Sequence, residues 1–195
     1  MKFTENELKA LNFLTRRPDE NYSINGLSKQ IGLTPMGAQK ILKRLEKAGM
    51  VKHKKMANAM FYQLNFDSDV ARKAAELSLF EEIPNPYARA QAKDIERLRP
   101  FVRAAVLFGS VLKKGEGAND IDVLVVVEKK EYAAFQAAIK KLQALKPKRI
   151  EPVIQSPEDL VHNIKTRVPV MLEIIKTGKI LWGQDAIVNA LKEAA

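Results

Sequence analysis

Two aspartates one residue apart, Asp120 and Asp122, open an apolar run that continues through Val127. Ten residues earlier an apolar run through Val106, Leu107 and Phe108 closes on Gly109-Ser110. Short, β-branched stretches bounded by turn residues predict two buried strands. Side chains alternate faces along a strand, so Asp120 and Asp122 share one face while Ile121 and Val123 enter the core. Neighbouring carboxylates repel each other unless a positive charge lies between them, and a hard, oxygen-liganded divalent cation, Mg²⁺ above all, answers that need. Gly109 lets backbone approach a ligand closely, and Ser110 offers a hydroxyl and an amide at a prospective helix start. Carboxylates for a metal beside a glycine-serine turn for phosphate suit a nucleoside triphosphate.

Other chemistries find less support. The chain contains no cysteine, so it forms neither a disulfide nor a thiolate zinc site. His53 and His162 are far apart and give no metal pair. No Ser-His-Asp or Cys-His arrangement and no Walker loop is present.

Gly109-Ser110, nine intervening residues and Asp120-Ile121-Asp122 resemble the signature of the polymerase-β-type nucleotidyltransferase superfamily, especially its minimal branch. The resemblance covers roughly the C-terminal half. It implies that Gly109 and Ser110 seat the β- and γ-phosphates, that Asp120 and Asp122 hold Mg²⁺, and that the substrate is a nucleoside triphosphate, ATP first among them. It also implies a third acid on a later strand. Glu151, in the run KRIEPVI, stands there, either as a metal ligand and proton acceptor or as a plain surface glutamate. Pro152 follows where the family more often has an apolar residue, and Glu replaces the commoner Asp. Lys113 and Lys114 either offset triphosphate charge or are ordinary exposed lysines. The piece TGKILWG resembles the Gly-x-x-Leu-aromatic-Gly ending of the same proteins; Trp182 is a base-stacking ring or, as a lone aromatic in an apolar run more often is, a core side chain.

The elements around these residues read clearly. After the Asp strand, Glu131 to Leu145 predicts a helix and Lys148 to Ile154 a third strand, a strand-helix-strand order that implies a right-handed crossover to a neighbouring parallel strand. Further helices are expected from Pro157, over Val168 to Lys176 and from Gln184, with a short strand at Ile180 to Trp182.

Upstream, Thr4 and Glu7 have capping-box spacing, and Leu8, Leu11 and Leu14 lie near one face of a first helix that Arg17-Pro18-Asp19-Glu20 ends. Ser23 caps a second helix that Gly32 stops, and Thr34-Pro35 starts a third that runs to about Ala48. Met50 to Lys55 and Met60 to Leu64 predict a hairpin through Ala57-Asn58-Ala59. The stretch TPMGAQKILKRLEKAGMVKHKKMANAMFYQL resembles the winged helix-turn-helix superfamily of DNA-binding domains. Between Lys40 and Lys55 the only acid is Glu46. The resemblance therefore offers Thr34, Gln39, Lys40, Lys43, Arg44 and Lys47 to a major groove and Lys52, His53, Lys54 and Lys55 to phosphate.

Asp67 to Glu82 predicts a connecting helix carrying Val70, Ala74 and Leu77, broken by Ile83-Pro84-Asn85-Pro86. The expected organisation is a two-domain α+β protein: a winged helix-turn-helix over residues 1–66, a connecting helix and linker over 67–86, and an α/β nucleotidyltransferase fold, a small mixed sheet flanked by helices, over 87–195. A net charge of +10, shared by both halves, favours an anionic partner. No stretch reaches the roughly twenty apolar residues of a membrane span, and MKFTENELKALNFL does not have the pattern of a signal peptide; a cytoplasmic location is expected. Three functions remain open: nucleotidyl transfer by an enzyme with a DNA-binding domain; a DNA-binding transcriptional regulator whose second domain senses nucleotide; and an antitoxin-type partner of an RNase toxin. A homodimer is expected from the habit of winged-helix proteins of reading two half-sites.

Overall fold

The computed structural model describes residues 2–18, 20–56 and 59–195. Ala57 and Asn58 of the expected hairpin turn, and Asp19 of the segment expected to end the first helix, lie outside the described residues. The chain divides into two compact units, Met1–Leu79 with Ala195, and Phe80–Ala194.

In the first unit α1 (Glu5–Thr15) begins with a complete capping box. The Glu7 amide donates to Thr4 Oγ1 (3.3 Å), and the Thr4 amide donates to Glu7 Oε2 (2.8 Å). β1 (Tyr22–Ser23), which carries no alternation long enough to read, leads into α2 (Ile24–Ile31), capped by Ser23 and stopped by Gly32 in the left-handed region. α3 (Pro35–Lys47) has Thr34 as its cap and buries Ala38, Leu42 and Leu45. β2 (Val51–Met56) and β3 (Ala59–Leu64) pair antiparallel, and β1 adds to the far side of β3. α4 (Asp69–Ser78) packs within this unit, where Asn12 Nδ2 donates to the Ser78 carbonyl (2.7 Å). Its inner face differs from the expected one: Ala71, Ala74, Ala75 and Ser78 are buried, while Val70 and Leu77 are exposed.

The second unit opens with α5 (Pro86–Ile95), capped by Asn85, and a 3₁₀ turn over Glu96–Phe101. Its mixed sheet has the order β6-β5-β4-β7. β4 (Ala104–Phe108) and β5 (Asp120–Val126) are antiparallel, β7 (Lys179–Trp182) is antiparallel to β4, and β6 (Arg149–Gln155) is parallel to β5. The crossover between the parallel strands carries α7 (Tyr132–Gln143). One sheet face, with Ala105, Leu107, Ile121, Val123 and Val125, packs on Phe135, Ile139 and Leu142 of α7 and on Ile95 and Leu98. On the other face α8 (Pro157–Lys165), α9 (Pro169–Thr177) and α10 (Gln184–Ala194) cover the strands. A layer of helices on each side of the sheet is the arrangement that buries both faces of its near-continuous apolar strands.

β6 is an edge strand. Its Ile150 amide donates to Gln143 Oε1 (2.7 Å), and its Ile154 carbonyl accepts from Gln155 Nε2 (3.0 Å). Between them Pro152 has no amide hydrogen.

Candidate functional site

The turn after β4 sits directly over Asp122, because Phe108 is the register partner of that aspartate. Gly109 has φ +76°, and a Cβ placed there would lie 2.0 Å from Asp122 Oδ2 and 2.9 Å from its Cγ. Backbone conformation and space thus both demand glycine. The next amide, that of Ser110, donates to the Asp122 carboxylate. Ser110 also caps α6 (Val111–Lys114), its carbonyl accepting from the amides of Lys113 (3.1 Å) and Lys114 (2.8 Å). Lys113 and Lys114 are exposed on this short helix.

Asp120 and Asp122 share a face of β5, partly exposed, while Ile121 and Val123 are buried. Across the parallel ladder Arg149 is the partner of Asp120, and Glu151 is the partner of Asp122. Four charged residues therefore form a square on one sheet face: three acids and one arginine. Burial pushes the Asp122 carboxyl above the ordinary aspartate range, and the negative charges of Asp120 and Glu151 push it further; the Ser110 amide works the other way. Asp122 thus feels Ser110, Asp120 and Glu151 together.

Glu151 is occupied: Arg149 Nε lies 2.7 Å from its Oε1. Among the described residues no three His, Cys, Asp or Glu side chains are gathered tightly enough to hold a metal ion as they stand. The donor set itself fits a hard divalent cation, since three oxygen-bearing acids on adjoining strands repel one another at Asp122. Asp120, Asp122 and Glu151 are the residues that would hold it.

Two supporting residues escaped the sequence reading. Lys148, at the foot of β6, donates through Nζ to the carbonyls of Glu116 and Ala118, the latter at 2.5 Å, and lies 5.0 Å from the Tyr87 ring. It ties down the loop between Ser110 and Asp120. Arg149 is the other; its spacing of two from Glu151 on a predicted strand was the available signal. Trp182 is core: it is 5% exposed, and its Nε1 donates to the Val102 carbonyl (3.0 Å). No base can stack on a ring so enclosed, which decides between its two expected roles.

In the first unit the basic set narrows. Gln39, Lys40, Lys43 and Lys47 are exposed on α3, as are Lys54 and Lys55 on β2. Thr34 spends its hydroxyl on the Gly37 amide (3.1 Å). Arg44 Nε lies 3.1 Å from the buried Glu7 carboxylate, and its Nη2 donates to the Lys2 carbonyl (3.0 Å). Lys52 pairs with Asp67 (3.2 Å), and His53 Nδ1 is joined to Glu46. Three of the ten residues offered to DNA thus already hold an acid.

Residues 91–187 match the family described as polymerase beta, nucleotidyltransferase, and residues 3–52 match winged helix-turn-helix DNA-binding. The chain joins a winged helix-turn-helix domain to a polymerase-β-type nucleotidyltransferase domain. No curated protein matches it. A matching solved structure is that of ZitR, a zinc-responsive MarR family member from Lactococcus lactis, at 20% identity and a TM-score of 0.33 over 39% of this chain. The chain spans about half (51%) of that protein's length, and a likeness at this score carries no weight. Among the described residues no helix of either domain is long and apolar enough to cross a membrane.

Proposed function

We propose that the nucleotidyltransferase domain transfers a nucleoside monophosphate from a nucleoside triphosphate, ATP first among the candidates, to an acceptor hydroxyl, and that the winged helix holds the protein on DNA. The observation that carries the first half is the register that sets Glu151 beside Asp122 and the Gly109-Ser110 turn close against the Asp122 carboxylate. Acids meeting beside an amide-bearing, side-chain-free turn suit a polyphosphate with its counter-ions.

In this reading the Gly109-Ser110 backbone seats the β- and γ-phosphates and fixes the α-phosphorus near the acids. The acceptor oxygen bonds to the α-phosphorus, the bond from phosphorus to the bridging oxygen breaks, and pyrophosphate leaves with that electron pair. The hydroxyl proton passes to a carboxylate oxygen, for which Glu151 is the candidate. Bound Mg²⁺ would supply charge neutralisation to the phosphates and acidity to the acceptor hydroxyl. Lys148 keeps Asp120 in place by holding the preceding loop.

The test is incubation of the purified protein with α-³²P-labelled triphosphates, Mg²⁺ and extract of its native cells. Label should appear on a macromolecule or small acceptor and vanish with Asp120→Asn and Asp122→Asn. If wild type labels nothing and releases no pyrophosphate, transfer is rejected. The second reading, a nucleotide-sensing regulator, then stands, and the ion pair that occupies Glu151 favours it. For the winged helix, a gel shift at several salt concentrations should show affinity falling steeply as salt rises. Absence of binding at low salt would remove DNA.

A further inference from the structure

Glu151 lies beside Asp122 in the ladder, as a third metal ligand should, yet its carboxylate is joined to Arg149 two residues back on the same strand face. Arg149 in turn is the cross-strand partner of Asp120. It is thus the one cation inside the square of acids, and no carboxylate outside that square is paired with it in the salt bridges the structure shows. We propose that Arg149 is a built-in stand-in for the divalent cation: it neutralises Glu151 while the site is empty of metal and must release it before three carboxylates can act together.

The proposal rests on the metal-dependent reading above and deepens it. Without a cation between them the three acids repel one another at Asp122, and burial aggravates this. An arginine whose guanidinium reaches one of them relieves part of that repulsion without blocking entry, because its side chain is 77% exposed and that of Glu151 is 40% exposed. Solvent-exposed pairs are weak, worth at most about a fivefold change in an equilibrium. The device is therefore a light latch, one that a divalent cation opens readily. Its effect is to set a threshold: cation binding by the third carboxylate competes with an internal partner. Arg149 is a positioning residue in this account, acting through Glu151.

Removing a positive charge from an acidic site tightens cation binding even without any latch, so the test must isolate Glu151. Mn²⁺ alone is titrated by electron paramagnetic resonance against wild type, Arg149→Gln, Glu151→Gln and the double variant. Trp182 fluorescence through thermal unfolding confirms that each remains folded. The latch predicts that Arg149→Gln tightens Mn²⁺ binding about three- to fivefold more when Glu151 is present than when Glu151 is Gln, where only the general loss of a positive charge acts. Equal tightening in both backgrounds means general electrostatics and overturns the proposal, as does no change in either. If no variant and not wild type binds Mn²⁺ at millimolar concentration, the metal-dependent reading itself falls, and the latch with it. If Mn²⁺ binds wild type but Arg149→Gln is neutral, only the latch falls.

Discussion

Replacing Gly109 by Ala tests the geometry at the centre of the site. Two costs arise. The new Cβ must adopt φ +76°, a left-handed conformation that costs an L-residue about 1–2 kcal/mol. It would also stand 2.0 Å from Asp122 Oδ2, well inside contact distance, so the carboxylate must swing away and lose the Ser110 amide. A hydrogen bond to a charged group contributes about 1.5–3 kcal/mol. Together these give about 3–4 kcal/mol of destabilisation. In an Asp122→Ala background the colliding oxygen and Cγ are gone and only a 3.2 Å contact to Cβ remains, so the cost should fall to the backbone part, about 1–2 kcal/mol. The coupling between the two positions is then about 2 kcal/mol. Urea unfolding of the full chain followed by the fluorescence of its one tryptophan, Trp182, reads this domain directly. Additivity of the two substitutions within about 0.5 kcal/mol, the margin for independent sites, would refute the placement of Gly109 against Asp122.

Asp122→Asn should stabilise the protein at neutral pH while abolishing transfer, as relief of a strained functional site commonly does. The native carboxyl titrates higher than the unfolded one, so the native state binds more protons and loses stability as pH rises through the interval between the two values. The gain from Asn should therefore be present at pH 7 and shrink below the unfolded aspartate value; a gain unchanged down to pH 3 would contradict this. Lys40→Ala or Lys43→Ala should weaken DNA binding uniformly across sequences and reduce the salt slope by about one, measured by gel shift. Arg44→Ala should instead destabilise the winged helix by about 1–2 kcal/mol, because buried Glu7 loses its cationic partner; a lower melting temperature by circular dichroism checks this. Trp182→Phe should cost about 1–3 kcal/mol by stranding the Val102 carbonyl, and leave the affinity for nucleotide untouched in a binding titration.

Most of the elements could be read from local signals. Thr4, Ser23, Thr34 and Gly32 act at helix ends where their chemistry requires, and the alternation around Ile121 separated the aspartates from the core before any coordinates. What escaped depended on partners distant in the chain. α4 turns its alanines inward because α1 is there to receive them. Lys148 looked like one lysine among many until the carbonyls of Glu116 and Ala118 came within its reach, some thirty residues away. Arg44 and Lys52 carried a positive charge that suggested a DNA groove and its phosphates, but Glu7 and Asp67 had already claimed them. A charge in a sequence advertises what it can bind and is silent on what the fold has spent it on.

The partly blocked outer rim of β6 bears on how any polypeptide acceptor would be handled. A guest chain that lined up alongside this strand would find one amide turned to Gln143, none at Pro152, and a carbonyl answered by Gln155. Extension of the sheet is thereby discouraged right beside the acids. If Glu151 receives an acceptor hydroxyl as proposed, the acceptor would present it as a protruding group on its own folded surface or on a flexible nucleotide end, held by side chains and shape. Selectivity for the acceptor would then be written in the helices and loops around the strand, and such selectivity could change between related proteins without touching the reacting centre.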